Sequence, residues 1–154
     1  MSGFVATNSP ADKGPIPNDG FFPAIAPADF REATRQDATV TPARLVTVLT
    51  AAMDEVNQEL AAWRSRQQAL GYLRLGEVPA TQLNDESVQV ARYRRAVYAL
   101  AKAALIEHYA DFDATRSERT RAEDSPDADT VYRRQARWAI ADLQSQARMV
   151  SELI

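Results

Sequence analysis

The chemically most suggestive group in the sequence surrounds its single histidine. His108 follows Glu107, and Asp111 lies three residues further on, so His108 and Asp111 would share one face of a helix. Imidazole nitrogens and carboxylate oxygens do bind metals, but a metal site needs three or four ligands with better-defined spacing. We therefore expect His108 to pack or form hydrogen bonds near a helix end, and we predict no metal site and no cofactor.

Three carboxylates, Asp54, Glu55 and Glu59, form the next candidate group. Adjacent helical residues point about 100° apart, so Asp54 and Glu55 do not face each other. General acid–base catalysis needs a shaped pocket and perturbed pKa values, and a solvated or interfacial helix face is the favoured interpretation here. The chain also has no cysteine, no G-x-S-x-G and no glycine-rich phosphate loop. We predict that the protein is not an enzyme.

Arginines carry the remaining functional signal. They form two groups, Arg92, Arg94 and Arg95 in the first and Arg133, Arg134 and Arg137 in the second. Such groups could contact DNA phosphates, but pairing with the 21 acidic residues, within or between subunits, is favoured. The net charge of −3 argues against a general nucleic-acid binder, which would usually be basic.

The 154 residues are enough for one domain with a tail to spare. The absence of cysteine fits a protein made in a reducing cytoplasm. The N-terminus shows no basic segment followed by an apolar run, and no stretch approaches the roughly 20 apolar residues of a membrane helix. We therefore expect neither a signal peptide nor a membrane partner.

Residues 1–26 are predicted to form an extended arm. Six of the eight prolines lie at or before Pro42, and a segment so rich in proline and glycine does not propagate a helix. Phe21 and Phe22 stand out in this arm. They have two interpretations, an anchor that inserts into a neighbouring subunit or a pair that packs on this chain's own bundle, and the sequence does not choose between them.

The first long helix is predicted over about 41–70. Thr41 is a suitable N-cap with Pro42 in the first helical position, and Gly71 is a natural stop. A short helix over 28–33 is expected to precede it. The apolar residues of the long helix recur at three-four spacing on one face. They are Leu45, Leu49, Ala52, Val56, Leu60, Trp63 and Leu70.

Residues 71–84 are predicted to form a connection, broken by glycine and proline, whose apolar side chains tack it to the bundle. These side chains are Leu73, Leu75, Val78 and Leu83. A second helix is predicted over about 85–109, opening at Asn84 and Asp85 with acids in its first turn. Its inner face comprises Val97, Leu100, Ala101, Ala104 and Leu105.

Residues 110–125 are polar and charged, and they predict a loop. A third helix is predicted over about 126–146, with Ser125 as N-cap and Pro126 in its first position. Its inner face comprises Tyr132, Ala136, Ala139, Ile140 and Leu143. The predicted fold is thus all-α, a small helical bundle with an N-terminal arm (1–26), a helical connector domain (27–147) and an extended C-terminal tail (148–154).

Several short stretches, in order, resemble those of a known family. They are Phe21-Phe22-Pro23, T-V-T-P-A-R-L at 39–45, L-G-Y-L-R-L-G-E-V-P-A at 70–80, E-S-V-Q-V-A-R-Y-R-R-A-V at 86–97, A-L-I-E-H-Y at 104–109, R-W-A-I-A at 137–141 and V-S-E-L-I at 150–154. In their order and spacing the chain resembles the phage head completion/stabilisation proteins, the gene-product-L type of temperate contractile-tailed phages.

The resemblance implies a structural adaptor of the virion neck, assembled in the host cytoplasm. It implies a ring, of twelve copies to match the portal, which docks on the portal protein after DNA packaging. Such a ring would stabilise the filled head and provide a platform for a further neck or tail-terminator protein. Packaged DNA would pass through the channel without sequence-specific binding.

The resemblance also assigns candidate contact residues. Related connectors grip the portal with an extended C-terminal segment, which implies portal contacts at Arg148, Met149, Val150, Ser151, Glu152, Leu153 and Ile154. Phe21 and Phe22 are the candidate inter-subunit anchor. The alternative to this function is a generic helical assembly or interaction module of a phage tail or assembly factor, also without catalysis. A small helical enzyme or nucleic-acid regulator would need a pocket or a basic face, which the sequence does not indicate.

Overall fold

The computed structural model describes Asp12, residues 14–113 and residues 127–145, with the backbone alone over 110–113. Within these residues the chain forms helices and one small hairpin, so the predicted all-α class is confirmed. In chain order the elements are α1 (Pro27–Thr34), α2 (Pro42–Glu59), α3 (Ala61–Ala69), a 3₁₀ turn (Leu75–Glu77), β1 (Gln82–Leu83), β2 (Glu86–Ser87), α4 (Val88–Asp113) and α5 (Ala128–Leu143).

The predicted helix over 41–70 is two helices that meet at Leu60. Leu60 has φ −89° and ψ 0°, which is outside the helical region, although its N–H still donates to Val56 and its carbonyl accepts from Arg64. Both predicted ends are confirmed. The Thr41 hydroxyl accepts the N–H of Arg44 at 3.3 Å.

Gly71 ends α3 as predicted. It has φ +96°, a conformation that glycine adopts without steric cost. Its own N–H donates to Gln68, and the N–H of Tyr72 donates to Gln67. This pair of bonds satisfies carbonyls that the end of a helix leaves free, and it turns the chain into the connection.

The predicted start of the second helix at Asn84 and Asp85 is wrong. These residues form the two-residue turn of a hairpin, in which Gln82 pairs with Ser87 and Leu83 with Glu86. Both turn residues have positive φ, 52° and 57°. One of the two turn types favoured in two-residue hairpin loops has positive φ at both positions, which asparagine and aspartate tolerate better than most residues. The helix therefore begins at Val88, after the hairpin.

Helix α4 is the centre of the bundle, with α2 and α5 packed along it. α5 runs antiparallel to α4, because Gln89 bonds the carbonyl of Leu143 near one end and Glu107 bonds Arg133 towards the other. The predicted inner faces are mostly confirmed. Their buried members are Leu45, Leu49, Ala52, Val56, Leu60, Trp63, Val97, Leu100, Ala101, Leu105, Ala136, Ala139, Ile140 and Leu143. Ala104 and Tyr132 are half-buried, and Leu70 is exposed.

The described part of the N-terminal arm has no helix and folds back along the bundle. Ile16 and Ile25 form an isolated antiparallel bridge with N···O distances of 2.7 and 3.1 Å. Asp12 forms an ion pair with Arg31 of α1. The predicted tail over 148–154, Ser125 and Pro126 lie outside the described residues. Among the described helices, none is both long enough and apolar enough to cross a membrane.

Candidate interaction surfaces

Glu107 and His108, two of the residues considered for a metal site, make contacts within the bundle. Glu107 accepts two hydrogen bonds from Arg133 at 2.8 Å, and this carboxylate raises the pKa of the guanidinium. The ring of His108 lies edge-on to Tyr109, with centroids 5.9 Å apart. The side chain of Asp111 lies outside the described residues. No group of three or more metal-binding side chains occurs in the part of the chain that the structure describes.

Most of the arginines singled out in the sequence have partners within the chain. Arg94 pairs with Glu86, and Arg92 donates to Gln89 at 3.0 Å. The guanidinium of Arg134 lies over the ring of Trp138, 5.2 Å from its centroid, a favourable cation–π geometry. Arg94 with Glu86 and Arg133 with Glu107 are ion pairs of the kind that the sequence favoured for these arginines.

Phe21 and Phe22 lie in the core of this chain. Asp19 sets the turn that aims them inward, because one of its carboxylate oxygens accepts the N–H groups of both phenylalanines at 3.0 Å. Phe21 meets Trp63 of α3 edge-on, and Phe22 stacks on Tyr93 of α4 with centroids 4.7 Å apart. The pair thus follows the second of its two interpretations, and a role between subunits stays a prediction.

A ring of three hydrogen bonds fastens the arm to the bundle. The side-chain amide of Asn18 donates to the Tyr93 hydroxyl at 2.8 Å, Tyr93 donates to Oδ1 of Asn57 at 2.7 Å, and the side-chain amide of Asn57 donates to Oδ1 of Asn18 at 2.8 Å. Burial raises the pKa of Tyr93, so its hydroxyl stays protonated and able to donate. One residue each from the arm, α2 and α4 is therefore fixed by the other two.

Large apolar side chains are exposed on the connection between α3 and α4. Leu70 and Leu73 are each 69% exposed, and Leu83 is 64% exposed. The prediction that these three leucines pack on the bundle is wrong. Leu75 and Val78 of the connection are buried instead, and Tyr72 packs against the edge of the core. Gln67, which interrupts the apolar stripe, was the one signal in the sequence that the stripe ends before Leu70.

A groove lies between α1, α4 and α5, and the sequence did not indicate it. It has a volume of about 350 Å³. Small and aromatic side chains form its walls, and two arginines and one glutamate line it as well. Its lining includes Ala33, Glu86, Ala91, Arg94, Arg95, Tyr98 and Tyr132.

The portal-contact residues assigned in the C-terminal tail, Arg148 to Ile154, lie outside the described residues, so that assignment stays a prediction. Helix α5 ends at Leu143, and Ser145, the last described residue, has φ +56°, a left-handed conformation.

Comparison with known proteins gives one consistent result. The family model for Phage head completion protein (GPL) matches residues 16–154. The chain is also 38% identical, over 149 residues, to a head completion/stabilization protein of Escherichia phage P2; this similarity covers 96% of the present chain and 88% of that relative. No solved structure matches the chain.

Proposed function

The chain belongs to the phage head completion protein family, and from that premise we propose that it acts at the neck of the virion. In this proposal the protein docks as a ring on the portal after DNA packaging. The ring stabilises the filled head and provides the platform on which a tail is attached. The role is structural, without catalysis, and assembly takes place in the host cytoplasm.

Family membership carries this proposal, because it makes the protein a component of the phage head. The surface of the bundle supports an adaptor role. Exposed leucines such as Leu70, Leu73 and Leu83 leave apolar area in contact with water at a free-energy cost, and such area often marks a protein–protein contact. We assign these three leucines to the contact with a partner in the neck.

Portal binding is assigned to the C-terminal tail, residues 148–154. Its apolar residues Met149, Val150, Leu153 and Ile154 suit insertion into a complementary site. A single short segment binds weakly, but a ring of about twelve copies engages the portal at many points at once, and effective concentration then multiplies the affinity. Weak individual contacts also leave free subunits unassembled until a portal is present.

DNA passes through the proposed channel without sequence-specific contacts. Four of the twelve arginines among the described residues form ion pairs with acids, including Arg94 with Glu86 and Arg133 with Glu107. Strong phosphate binding would also resist DNA movement during ejection, because each neutralised phosphate adds to the affinity. A further neck or tail-terminator protein would bind the face of the ring that points away from the head.

Deleting residues 148–154 tests the portal assignment. The deletion begins beyond the last described residue, so α1 to α5 keep all of their described contacts. We expect the truncated protein to fold, with an unchanged circular dichroism spectrum, but to lose co-sedimentation with purified portal rings and to fail to stabilise DNA-filled heads. Full portal binding together with full head stability would rule out the tail as the portal contact.

A further inference from the structure

The groove between α1, α4 and α5 has the shape and polarity of a peptide site. Ala91 and Tyr98 of α4 and Tyr132 of α5 contribute apolar surface to its walls. Along α4, the groove extends from Ala91 to Ala99, about 12 Å at the helical rise. Its volume of about 350 Å³ is at the lower end of ordinary ligand sites and fits a few side chains of an extended segment.

The charged side chains that line the groove favour an occupant with an acidic group. Arg94 pairs with Glu86, so these two charges compensate each other. Arg95 lines the same groove, and among the described residues no carboxylate forms an ion pair with it. An occupant with apolar side chains and one carboxylate would cover the apolar walls and pair with Arg95.

Three undescribed segments of this chain can be compared with that requirement. Residues 1–11 contain no acidic side chain. Residues 114–126 contain acids, but their apolar residues are only two alanines and one proline. Residues 146–154 contain four large apolar residues and a single acid, Glu152. Only the C-terminal segment has both properties.

The position at which the C-terminal segment starts makes the groove reachable. The amide of Gln89 donates to the carbonyl of Leu143 at 3.1 Å, which places the end of α5 beside the first turn of α4. Ala91, at the near end of the groove, is two residues after Gln89. Nine extended residues span about 30 Å, more than twice the length of the groove.

We propose that the groove between α1, α4 and α5 binds residues 146–154 of the same chain in the free subunit, with Glu152 paired to Arg95. The groove then covers the apolar side chains of the tail before assembly. The consequence for assembly rests on the proposed function. A tail that binds the portal must first leave the groove, so the groove and the portal compete for the tail. This competition delays binding of the tail to the portal until many portal sites are presented together.

The absence of cysteine allows a direct test in the full-length protein, because a pair of introduced thiols has no competitor. The test pair is Ala91→Cys with Leu153→Cys. The control pair is Ala62→Cys with Leu153→Cys. Ala91 and Ala62 are both exposed helical alanines. Each also lies near the end of α5, since Gln144 bonds Glu59 close to Ala62 just as Leu143 bonds Gln89 close to Ala91.

Under mild oxidation of dilute, portal-free protein, we expect the intramolecular disulfide of the test pair to form at least about ten times faster than that of the control pair, because binding raises the effective concentration of the two thiols. Each rate is normalised to the reaction of the single-cysteine variant with a small disulfide reagent, which corrects for differences in thiolate reactivity. Equal normalised rates would overturn the proposal. A product consisting mainly of disulfide-linked dimers would overturn the assignment to the same chain.

A charge exchange tests the proposed ion pair. Arg95→Glu is expected to slow disulfide formation in the test pair to the control rate, and adding Glu152→Arg is expected to restore it. Unchanged closure in Arg95→Glu, or no restoration in the double variant, would contradict the pairing. None of these experiments contains portal, so their failure would leave portal binding by the tail intact, whereas full portal binding after tail deletion would count only against the proposed function.

Discussion

Two irregular regions of this bundle, the arm over 14–26 and the connection over 70–83, differ in the burial of their large apolar side chains. The arm buries Phe21 and Phe22 at 4% and 3% exposure. The connection leaves Leu70 and Leu73 exposed. Both regions turn at a glycine with positive φ, Gly20 in the arm and Gly71 in the connection. The difference therefore lies in what surrounds the side chains and not in the type of turn.

The arm is an integral part of the core. Its backbone is held by the Ile16–Ile25 bridge and by the carboxylate of Asp19, and its aromatic rings contact α3 and α4. The connection is tied down by other means, since the N–H of Leu75 donates to the carbonyl of Phe21 at 2.9 Å. Its exposed leucines contribute little burial to the fold. Apolar side chains that the fold leaves mostly exposed are available for a partner.

Phe22→Ala should have the largest effect on stability. The ring is buried and stacks on Tyr93, so its removal leaves a cavity between the arm and α4. We expect a loss of about 3–5 kcal/mol in the free energy of unfolding, measured by denaturant titration. Leu73→Ala is the matched control, with an expected change within about 0.5 kcal/mol. Similar losses in the two variants would contradict the comparison.

Tyr93→Phe should have the next largest effect. The change keeps the aromatic stack with Phe22 but removes the hydroxyl that joins Asn18 to Asn57. Buried groups left without a partner cost about 1–3 kcal/mol, and denaturant titration should show a loss in this range.

Tyr72→Phe provides the control for Tyr93→Phe. Tyr72 is half-buried at the edge of the core, and its hydroxyl has no hydrogen bond within the part of the chain that the structure describes. We expect little change in stability for this variant. A loss in Tyr93→Phe no larger than that in Tyr72→Phe would show that the ring of hydrogen bonds does not secure the arm.

The sequence predicted what depends on local periodicity. The inner faces of α2, α4 and α5 follow the three-four spacing of their apolar residues, and the signals at Thr41 and Gly71 placed two helix ends correctly. Such signals act over one or two turns of chain. They can therefore be recognised in the sequence without knowledge of the tertiary structure.

What the sequence did not predict depends on contacts between distant residues. Nothing near Phe21 in the chain reveals that Trp63 will contact it, and nothing near Leu83 reveals that its side chain will stay mostly exposed. The groove is likewise assembled from three helices. The wrong helix start at Asn84 and Asp85 is a different kind of error. This pair stands between short segments that mix polar and apolar residues, so it is compatible with a left-handed turn as well as with a helix start.

Asp85→Gly should stabilise the connection without touching the arm. Asp85 has φ +57°, and glycine at that position removes the strain of a left-handed non-glycine residue while adding backbone freedom to the unfolded chain. We expect a net gain of up to about 1 kcal/mol. Asp29→Gly, in the first turn of α1, is the opposite control and should destabilise by a similar amount. A loss of stability in Asp85→Gly would contradict the hairpin.

The smallest effect on stability is expected for replacement of the exposed leucines, and this prediction separates folding from function. Leu70, Leu73 and Leu83 already face solvent, so changing each to serine should alter the free energy of unfolding by no more than about 0.5 kcal/mol. Solubility should rise, because apolar area is removed from the surface.

If these side chains contact a neck partner, the triple variant should fold normally and yet fail to complete heads in an assembly assay, since it loses the apolar area that this contact would bury. If the triple variant unfolds, the three leucines contribute to the core, as the phenylalanines of the arm do. One that folds and completes heads at the normal yield would show that this connection is not a contact surface.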